Sequence, residues 1–116
     1  MDEQRLAFGP FVVIPAQRVL LEDGRHVRLG GRALDILILL VARAGKVVSK
    51  AELIAAAWPN MHVEEANLRV HIGALRKVLG DHNIGARFIE NVAGRGYCFV
   101  AKVTDEAGSM PVRPAK

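Results

Sequence analysis

Hydrophobic residues near the N terminus of the chain follow the pattern of a small sheet. Two apolar runs, 11–14 and 19–21, precede the turn sequence EDGR at 22–25, and residues 26–29 then alternate between polar and apolar. Such alternation around an Asp-Gly pair is typical of a β-hairpin. We therefore predict an N-terminal antiparallel sheet of three or four strands.

The middle of the chain changes to helical spacing. Apolar residues between 32 and 44 recur every three or four positions and on several sides, which predicts a central buried helix that is ended by Gly45. Ser49 and Glu52 match a capping box, in which the serine and the glutamate bond each other's backbone amides. A second helix is therefore expected at about 50–58.

The third predicted helix, 64–79, has two contrasting faces. Its buried stripe is expected to consist of Leu68, Ile72, Leu75 and Leu79. The opposite face, found by turning 100° per residue, carries Ala66, Val70, Gly73, Ala74 and Lys77. Asn67 and His71 flank that face on one side, Arg69 and Arg76 on the other. Small residues fringed by cations suit close approach to a phosphate-lined groove; a protein-docking face is the alternative.

A second hairpin is predicted near the end of the chain, around the stretch NVAGRGYCFV at 91–100. Strands are expected at 87–92 and 97–103, and the glycines of the Gly-Arg-Gly turn place Arg95 at the tip. The ring of Tyr97 is expected to be buried in this hairpin. Residues 104–116 lack periodicity and are predicted to be a flexible tail or linker.

The positive charge of the chain is concentrated in one segment. The net charge is +4, and positive and negative residues balance within 1–65 and within 104–116. Segment 66–103 holds six Lys or Arg residues against two acidic ones, so it carries the whole excess. This segregation favours a polyanionic partner such as nucleic acid; an ordinary solvated face is the alternative.

The composition points to one folded domain without a membrane anchor. The chain has 116 residues, 51% of them hydrophobic, so a buried core is expected. Its longest apolar run, 36–42, is too short to span a bilayer, and the first residues do not match a signal peptide. The single cysteine, Cys98, cannot form an internal disulfide, which favours a reducing, cytoplasmic location.

The sequence does not predict an enzyme, a metal site or a cofactor. Histidines at 26, 62, 71 and 82 lack the spacing of metal ligands. Gly94-Arg95-Gly96 leads into a strand, whereas a phosphate-binding loop leads into a helix. We therefore expect a non-enzymatic binding domain.

Four stretches between Val27 and Val100 together carry the most specific signal: VRLGGRALDILILL, GKVVSKAELIAAAWP, VEEANLRVHIGALRKVLGD and RFIENVAGRGYCFV. In these the chain resembles the winged-helix DNA-binding (effector) domain of OmpR/PhoB-type transcriptional regulators. The resemblance implies an α+β fold, a winged helix-turn-helix within a domain at 1–103. It also implies sequence-specific binding of double-stranded DNA, with helix 64–79 in the major groove and the wing, 87–103, at the minor groove.

The resemblance also suggests roles for individual residues. Arg69 and Val70 match positions that approach base edges, Arg69 facing guanine acceptors and Val70 a thymine methyl. Arg95 is expected to enter the minor groove from the tip of the wing. Phosphate contacts are assigned to Asn67, His71, Arg76, Lys77, Asn91 and the hydroxyl of Tyr97.

The chain departs from the family's pattern in two respects. Well-known members place arginines where this chain has Ala66, Gly73, Ala74 and, on the wing, Ala93; Arg95 would take over the last of these roles. Their receiver domain precedes the winged helix, whereas here the first strand is predicted within ten residues of Met1. We therefore expect that a sensor domain either follows residue 116 or is absent.

Two further partners follow from the resemblance. Head-to-tail pairing of domains on repeated DNA sites is expected, and a contact with RNA polymerase through loop 59–63 is a further hypothesis. A winged helix used for protein–protein interaction remains the alternative function.

Overall fold

The computed structural model describes residues 4–80 and 88–105, which form two compact units. The first unit contains residues 4–28 and 102–105, and the second contains 29–80 and 88–101. The first is an antiparallel sheet; the second holds three helices and a smaller sheet. No helix within the described ranges is long and apolar enough to cross a bilayer.

The sheet of the first unit has five strands, four of which follow one another at the start of the chain. In spatial order they are β4 (Arg25–His26), β3 (Val19–Glu22), β2 (Phe11–Ile14), β1 (Leu6–Phe8) and, from the end of the described chain, β8 (Thr104–Asp105). The predicted Asp-Gly hairpin is confirmed, because Glu22 pairs with Arg25 across it. Asp23 and Gly24 both have positive φ, +54° and +83°, as a two-residue hairpin turn of the favoured type requires.

Two boundaries in this unit differ from the sequence expectation. The strand expected through 26–29 ends at His26, after which the Val27 amide donates to the Leu20 carbonyl. Thr104 and Asp105, expected to begin the tail, instead pair with β1. The rest of the predicted tail, 106–116, lies outside the described residues.

The three predicted helices of the second unit are confirmed with small shifts. They are α1 (Gly31–Ala42), α2 (Lys50–Ala57) and α3 (Glu65–Leu79). The first ends at Ala42 with Arg43 as its C-cap, so Gly45 lies beyond the helix and does not end it as predicted. Six side chains of α1 are buried, which makes it the central helix of this unit: Ala33, Leu34, Ile36, Leu37, Leu40 and Val41.

The capping box at the start of α2 is confirmed. The Ser49 hydroxyl accepts from the Glu52 amide at 3.1 Å, and a Glu52 carboxylate oxygen accepts from the Ser49 amide at the same distance. Arg43 donates to the other carboxylate oxygen at 2.7 Å. These bonds hold the pKa of Glu52 below its ordinary value, the bond from Arg43 contributing most.

A three-stranded sheet joins the hairpin wing to the chain before α2. Its spatial order is β5 (Val47–Ser49), β7 (Gly96–Phe99) and β6 (Ile89–Val92). The sequence analysis did not predict β5, and Arg87, the predicted start of the wing, lies outside the described residues. Gly96 pairs with Ser49 at a very close approach, since a Cβ there would lie 2.0 Å from the Val48 carbonyl oxygen. Its φ of +152° also favours glycine.

Candidate nucleic-acid interface

The two faces of α3 are as the sequence predicted. The four residues of its apolar stripe, Leu68, Ile72, Leu75 and Leu79, are all buried. Burying such a side chain contributes about 1.5–3 kcal/mol, so the stripe fixes which face of α3 points inward. The opposite face is exposed at Ala66, Val70, Gly73, Ala74 and Lys77. Val70 is 67% exposed.

Charges at both ends of α3 match its dipole. Glu64 is the N-cap residue and Glu65 lies in the first turn, while Arg76 and Lys77 lie in the last. Gly80 follows as the C-cap with a φ of +76°, a conformation that glycine adopts without strain. The cationic residues of α3 are therefore placed on a well-terminated helix.

Arg69 belongs to an ion-pair cluster at the start of α3. Its Nη1 lies 3.7 Å from Oε2 of Glu65, one helical turn earlier, and the guanidinium side chain is 61% exposed. The same Oε2 accepts from Nζ of Lys50, at the start of α2, at 2.5 Å. Lys50 and then Arg69 lower the pKa of Glu65, which is therefore ionised at neutral pH.

His71 and Asn67 are joined on one flank of α3. The His71 Nδ1 lies 2.8 Å from the Asn67 carbonyl oxygen. The imidazole and the Trp58 ring meet nearly at right angles, at a centroid distance of 5.2 Å. Trp58 is buried, and Arg32 stacks over its ring while donating to the Ala57 carbonyl. This side of His71 therefore packs on the protein.

Arg76 and Lys77 differ although they are adjacent. Arg76 is half-buried, and its Nη2 donates to the Ile89 carbonyl of β6 at 3.1 Å. This bond ties the last turn of α3 to the base of the wing. Lys77 is exposed on the small-residue face.

The wing presents Arg95 at its tip. The Arg95 amide donates to the Val92 carbonyl at 2.9 Å, which closes a turn whose third residue, Gly94, has a φ of +74°. Asn91 and Arg95 are exposed, whereas Tyr97 is buried, as predicted, with 4% exposure. Only a small part of Tyr97 can therefore reach a phosphate.

Loop 59–63 lies beside a shallow groove along α2. The groove is lined by apolar side chains that include Ile54, Trp58 and Met61, and Met61 is 56% exposed. Within residues 4–80 and 88–105, His, Cys, Asp and Glu side chains do not gather into a group able to hold a metal ion.

Two residues of this interface escaped the sequence analysis. Glu65 was not assigned a role at the interface, although its spacing of four residues from Arg69 signals an ion pair. Lys50 carries no such signal, because its contact with Glu65 joins two different helices.

The chain belongs to the family described as transcriptional regulatory protein, C terminal, whose model matches residues 24–99. The predicted fold class, an α+β winged helix-turn-helix, is thereby confirmed, and three solved structures agree. The DNA-binding domain of E. coli CadC is 28% identical with a TM-score of 0.74, covering 89% of this chain and 97% of that one. The DNA-binding domain of E. coli CpxR is 28% identical with a TM-score of 0.72, covering 83% and 95%.

The third structure is the Klebsiella pneumoniae RstA DNA-binding domain in complex with the RstA box. It is 26% identical with a TM-score of 0.70, covering 83% of this chain and 96% of that one. Among curated proteins, the DNA-binding dual master transcriptional regulator RpaA of Synechocystis sp. is 31% identical over 106 residues, covering 89% of this chain. The transcriptional regulator HilA of Salmonella typhi is 35% identical over 99 residues, covering 85%. The chain spans 43% of RpaA and 18% of HilA.

Proposed function

We propose that this chain binds double-stranded DNA in a sequence-specific manner, as the output domain of a transcriptional regulator. The observation that carries the proposal is the exposed face of α3, where small residues are flanked by cations. The family membership and the DNA complex of a similar domain support it.

The chemistry of α3 fits the major groove. Ala66, Gly73 and Ala74 add little bulk, so the helix backbone can approach base edges closely. Arg69 can donate two parallel hydrogen bonds to guanine O6 and N7, and the exposed Val70 can contact a thymine methyl. These two residues are proposed to read sequence.

The remaining residues are proposed to hold the DNA backbone and the minor groove. Phosphate contacts are assigned to Asn67, His71, Arg76, Lys77, Asn91 and Tyr97, with Tyr97 contributing its hydroxyl alone. Arg95, exposed at the turn of the wing, is proposed to enter the adjacent minor groove. Arg76 is proposed to contact a phosphate while it keeps its hydrogen bond to the Ile89 carbonyl.

Other parts of the function follow from this assignment. We propose a non-enzymatic, cytoplasmic domain that pairs head to tail on repeated sites. Met61, exposed beside an apolar groove, supports the proposed RNA polymerase contact of loop 59–63. The domain boundary near 103–105 and a linker beyond it also remain proposals.

The decisive experiment is a selection of bound fragments from random duplex DNA, followed by affinity measurements on the enriched site. Arg69→Ala should relax the preference at one base pair and cost about 1–3 kcal/mol on that site. Lys77→Ala should weaken binding to all duplexes alike. If wild-type protein enriches no sequence, the winged helix serves instead as a protein-docking module.

A further inference from the structure

An acidic side chain stands at the edge of the face that is proposed to meet DNA. Glu65 begins α3, and its carboxylate is ionised and about half exposed. A negative charge this close to phosphates opposes binding. Its favourable interaction with the helix dipole accounts for an acid in the first turn, yet Glu64 already lies at the same end.

The carboxylate of Glu65 is held between two helices. Lys50 at the start of α2 donates to Oε2 at 2.5 Å, and Arg69 on α3 approaches the same oxygen at 3.7 Å. Lys50 is the less exposed of these two cations, and its contact fixes the carboxylate from outside α3. Arg69 therefore faces a positioned anion and not a freely rotating one.

We propose that Glu65 positions the Arg69 guanidinium and thereby determines how strictly Arg69 discriminates between base pairs. This inference rests on the proposed function and adds a specificity-determining residue that does not itself contact a base. A guanidinium has five donors in a rigid plane, so a carboxylate at one edge orients the plane while the other edge meets guanine.

The same carboxylate also acts against wrong contacts. Specificity is a difference between affinities, and it increases when unwanted complexes are destabilised. The Arg69 side chain is long enough to turn from a base to a phosphate. A contact with a phosphate would be the same on every sequence and would not contribute to specificity. The fixed negative charge of Glu65 attracts Arg69 back and repels phosphates, so it disfavours that alternative.

Glu64 provides a matched control. It precedes Glu65, is exposed and carries the same charge at the same end of α3. It makes no ion pair with any residue in the described ranges. A general effect of removing one negative charge should therefore appear in Glu64→Gln as well as in Glu65→Gln.

The test measures dissociation constants at one salt concentration for three duplexes. These are the selected site, the same site with the Arg69 base pair replaced, and an unrelated sequence. Glu65→Gln should tighten binding to the unrelated duplex and lower the discrimination at the Arg69 base pair by about three- to tenfold, a usual range for coupled neighbours. Glu64→Gln should tighten binding to all three duplexes similarly and preserve discrimination.

A second pair of variants separates positioning from other roles. In an Arg69→Ala background, Glu65→Gln should leave base preference unchanged, because no guanidinium remains to be positioned. Lys50→Met, which keeps the charge of Glu65 but removes its anchor, should lower discrimination in the same direction. It also serves as the test if Glu65→Gln fails to fold, as judged by thermal unfolding.

The proposal is overturned if Glu65→Gln, or Lys50→Met in its place, leaves discrimination at wild-type level. It is also overturned if Glu65→Gln changes base preference in the absence of Arg69, because Glu65 would then read a base itself. Failure of wild-type protein to prefer any duplex would instead reject the proposed function.

Discussion

His71 shows how one hydrogen bond limits what an interface residue can do. Its Nδ1 lies 2.8 Å from the Asn67 carbonyl oxygen, which can only accept, so Nδ1 carries a proton. In the neutral ring the other nitrogen, Nε2, is then an acceptor and cannot donate to a phosphate. A direct phosphate contact by Nε2 is therefore open only to the imidazolium form, in which both ring nitrogens donate.

The proposed phosphate contact of His71 can be tested by removing its ring nitrogens. His71→Phe keeps an aromatic ring against Trp58 but cannot donate a hydrogen bond, so it should weaken binding to all duplexes alike. Dissociation constants at fixed salt would be compared with those of His26→Phe, a control on β4. Unchanged affinity in His71→Phe would contradict the proposed phosphate contact.

Arg95 is predicted to read the width of the minor groove. Its side chain is exposed at a turn tip, so Arg95→Ala should change the free energy of unfolding by less than about 0.5 kcal/mol. A·T tracts narrow the minor groove and concentrate negative potential there, so the variant should lose most affinity on sites with an A·T-rich flank.

Replacing that flank with G·C in the wild-type complex should mimic part of the loss, and the two changes together should be less than additive. The measurement is this double cycle of protein and DNA changes. Strict additivity would show that Arg95 remains in solvent.

At the scale of elements, Arg76 couples α3 to the wing. Because its guanidinium bonds the Ile89 carbonyl, Arg76→Ala should lower the free energy of unfolding by about 1–2 kcal/mol in addition to any loss of DNA affinity. Lys77→Ala should leave the free energy of unfolding within about 0.5 kcal/mol of wild type. It should also reduce by about one the magnitude of the slope of the logarithm of the binding constant against the logarithm of salt concentration. Chemical denaturation and salt titrations measure both quantities. Equal stability of the two variants would argue against the coupling.

The capping box of α2 predicts a pH-dependent stability. Arg43 and the Ser49 amide favour the ionised form of Glu52, so its pKa is lower in the folded than in the unfolded chain. The resulting stabilisation is complete above the ordinary pKa of about 4.5 and is lost as the pH falls through the folded value. Glu52→Gln should therefore destabilise the protein at pH 7, and the difference from wild type should shrink toward pH 3. A difference that is constant with pH would contradict this origin.

At the scale of the whole molecule, the excess of positive over negative charge lies in the segment that supplies the proposed interface. Four cations, Arg69, Arg76, Lys77 and Arg95, are assigned to the DNA contact. Release of their counterions predicts a slope of about −3 to −4 when the logarithm of the binding constant is plotted against that of salt concentration. A titration across salt concentrations measures the slope, and a slope near zero would exclude the DNA contacts assigned to these four cations.

The sequence predicted those features that depend on neighbours along the chain. The stripe of α3, the capping box and the Asp-Gly turn each lie within one element or turn, and all three are confirmed. Pairings between distant segments were missed. Strand β5 is only three residues long and is defined by its pairing with β7. Thr104 and Asp105 are likewise a strand because they pair with β1.

The candidate site shows the same difference between features within one element, which were predicted, and contacts between elements, which were not. The exposure of Val70 and Arg95 followed from helical spacing and turn chemistry. The bond from Arg76 to Ile89 and the contact of Lys50 with Glu65 join different elements. The spacing of residues within one element therefore does not predict them. Such contacts hold Arg76 and Lys50 against the protein, whereas Lys77 and Arg95 are exposed.

The close approach at Gly96 determines which positions a library could vary to redesign the DNA preference of this chain. Ala93 and Arg95 are exposed, so randomising them samples new groove contacts at little cost in folded protein. Every side chain at Gly96 would meet the Val48 carbonyl, and a library that included this position would consist mostly of clones with a damaged sheet. The stretch that can be varied at the turn of the wing therefore ends at Arg95, and Gly96 has to be kept.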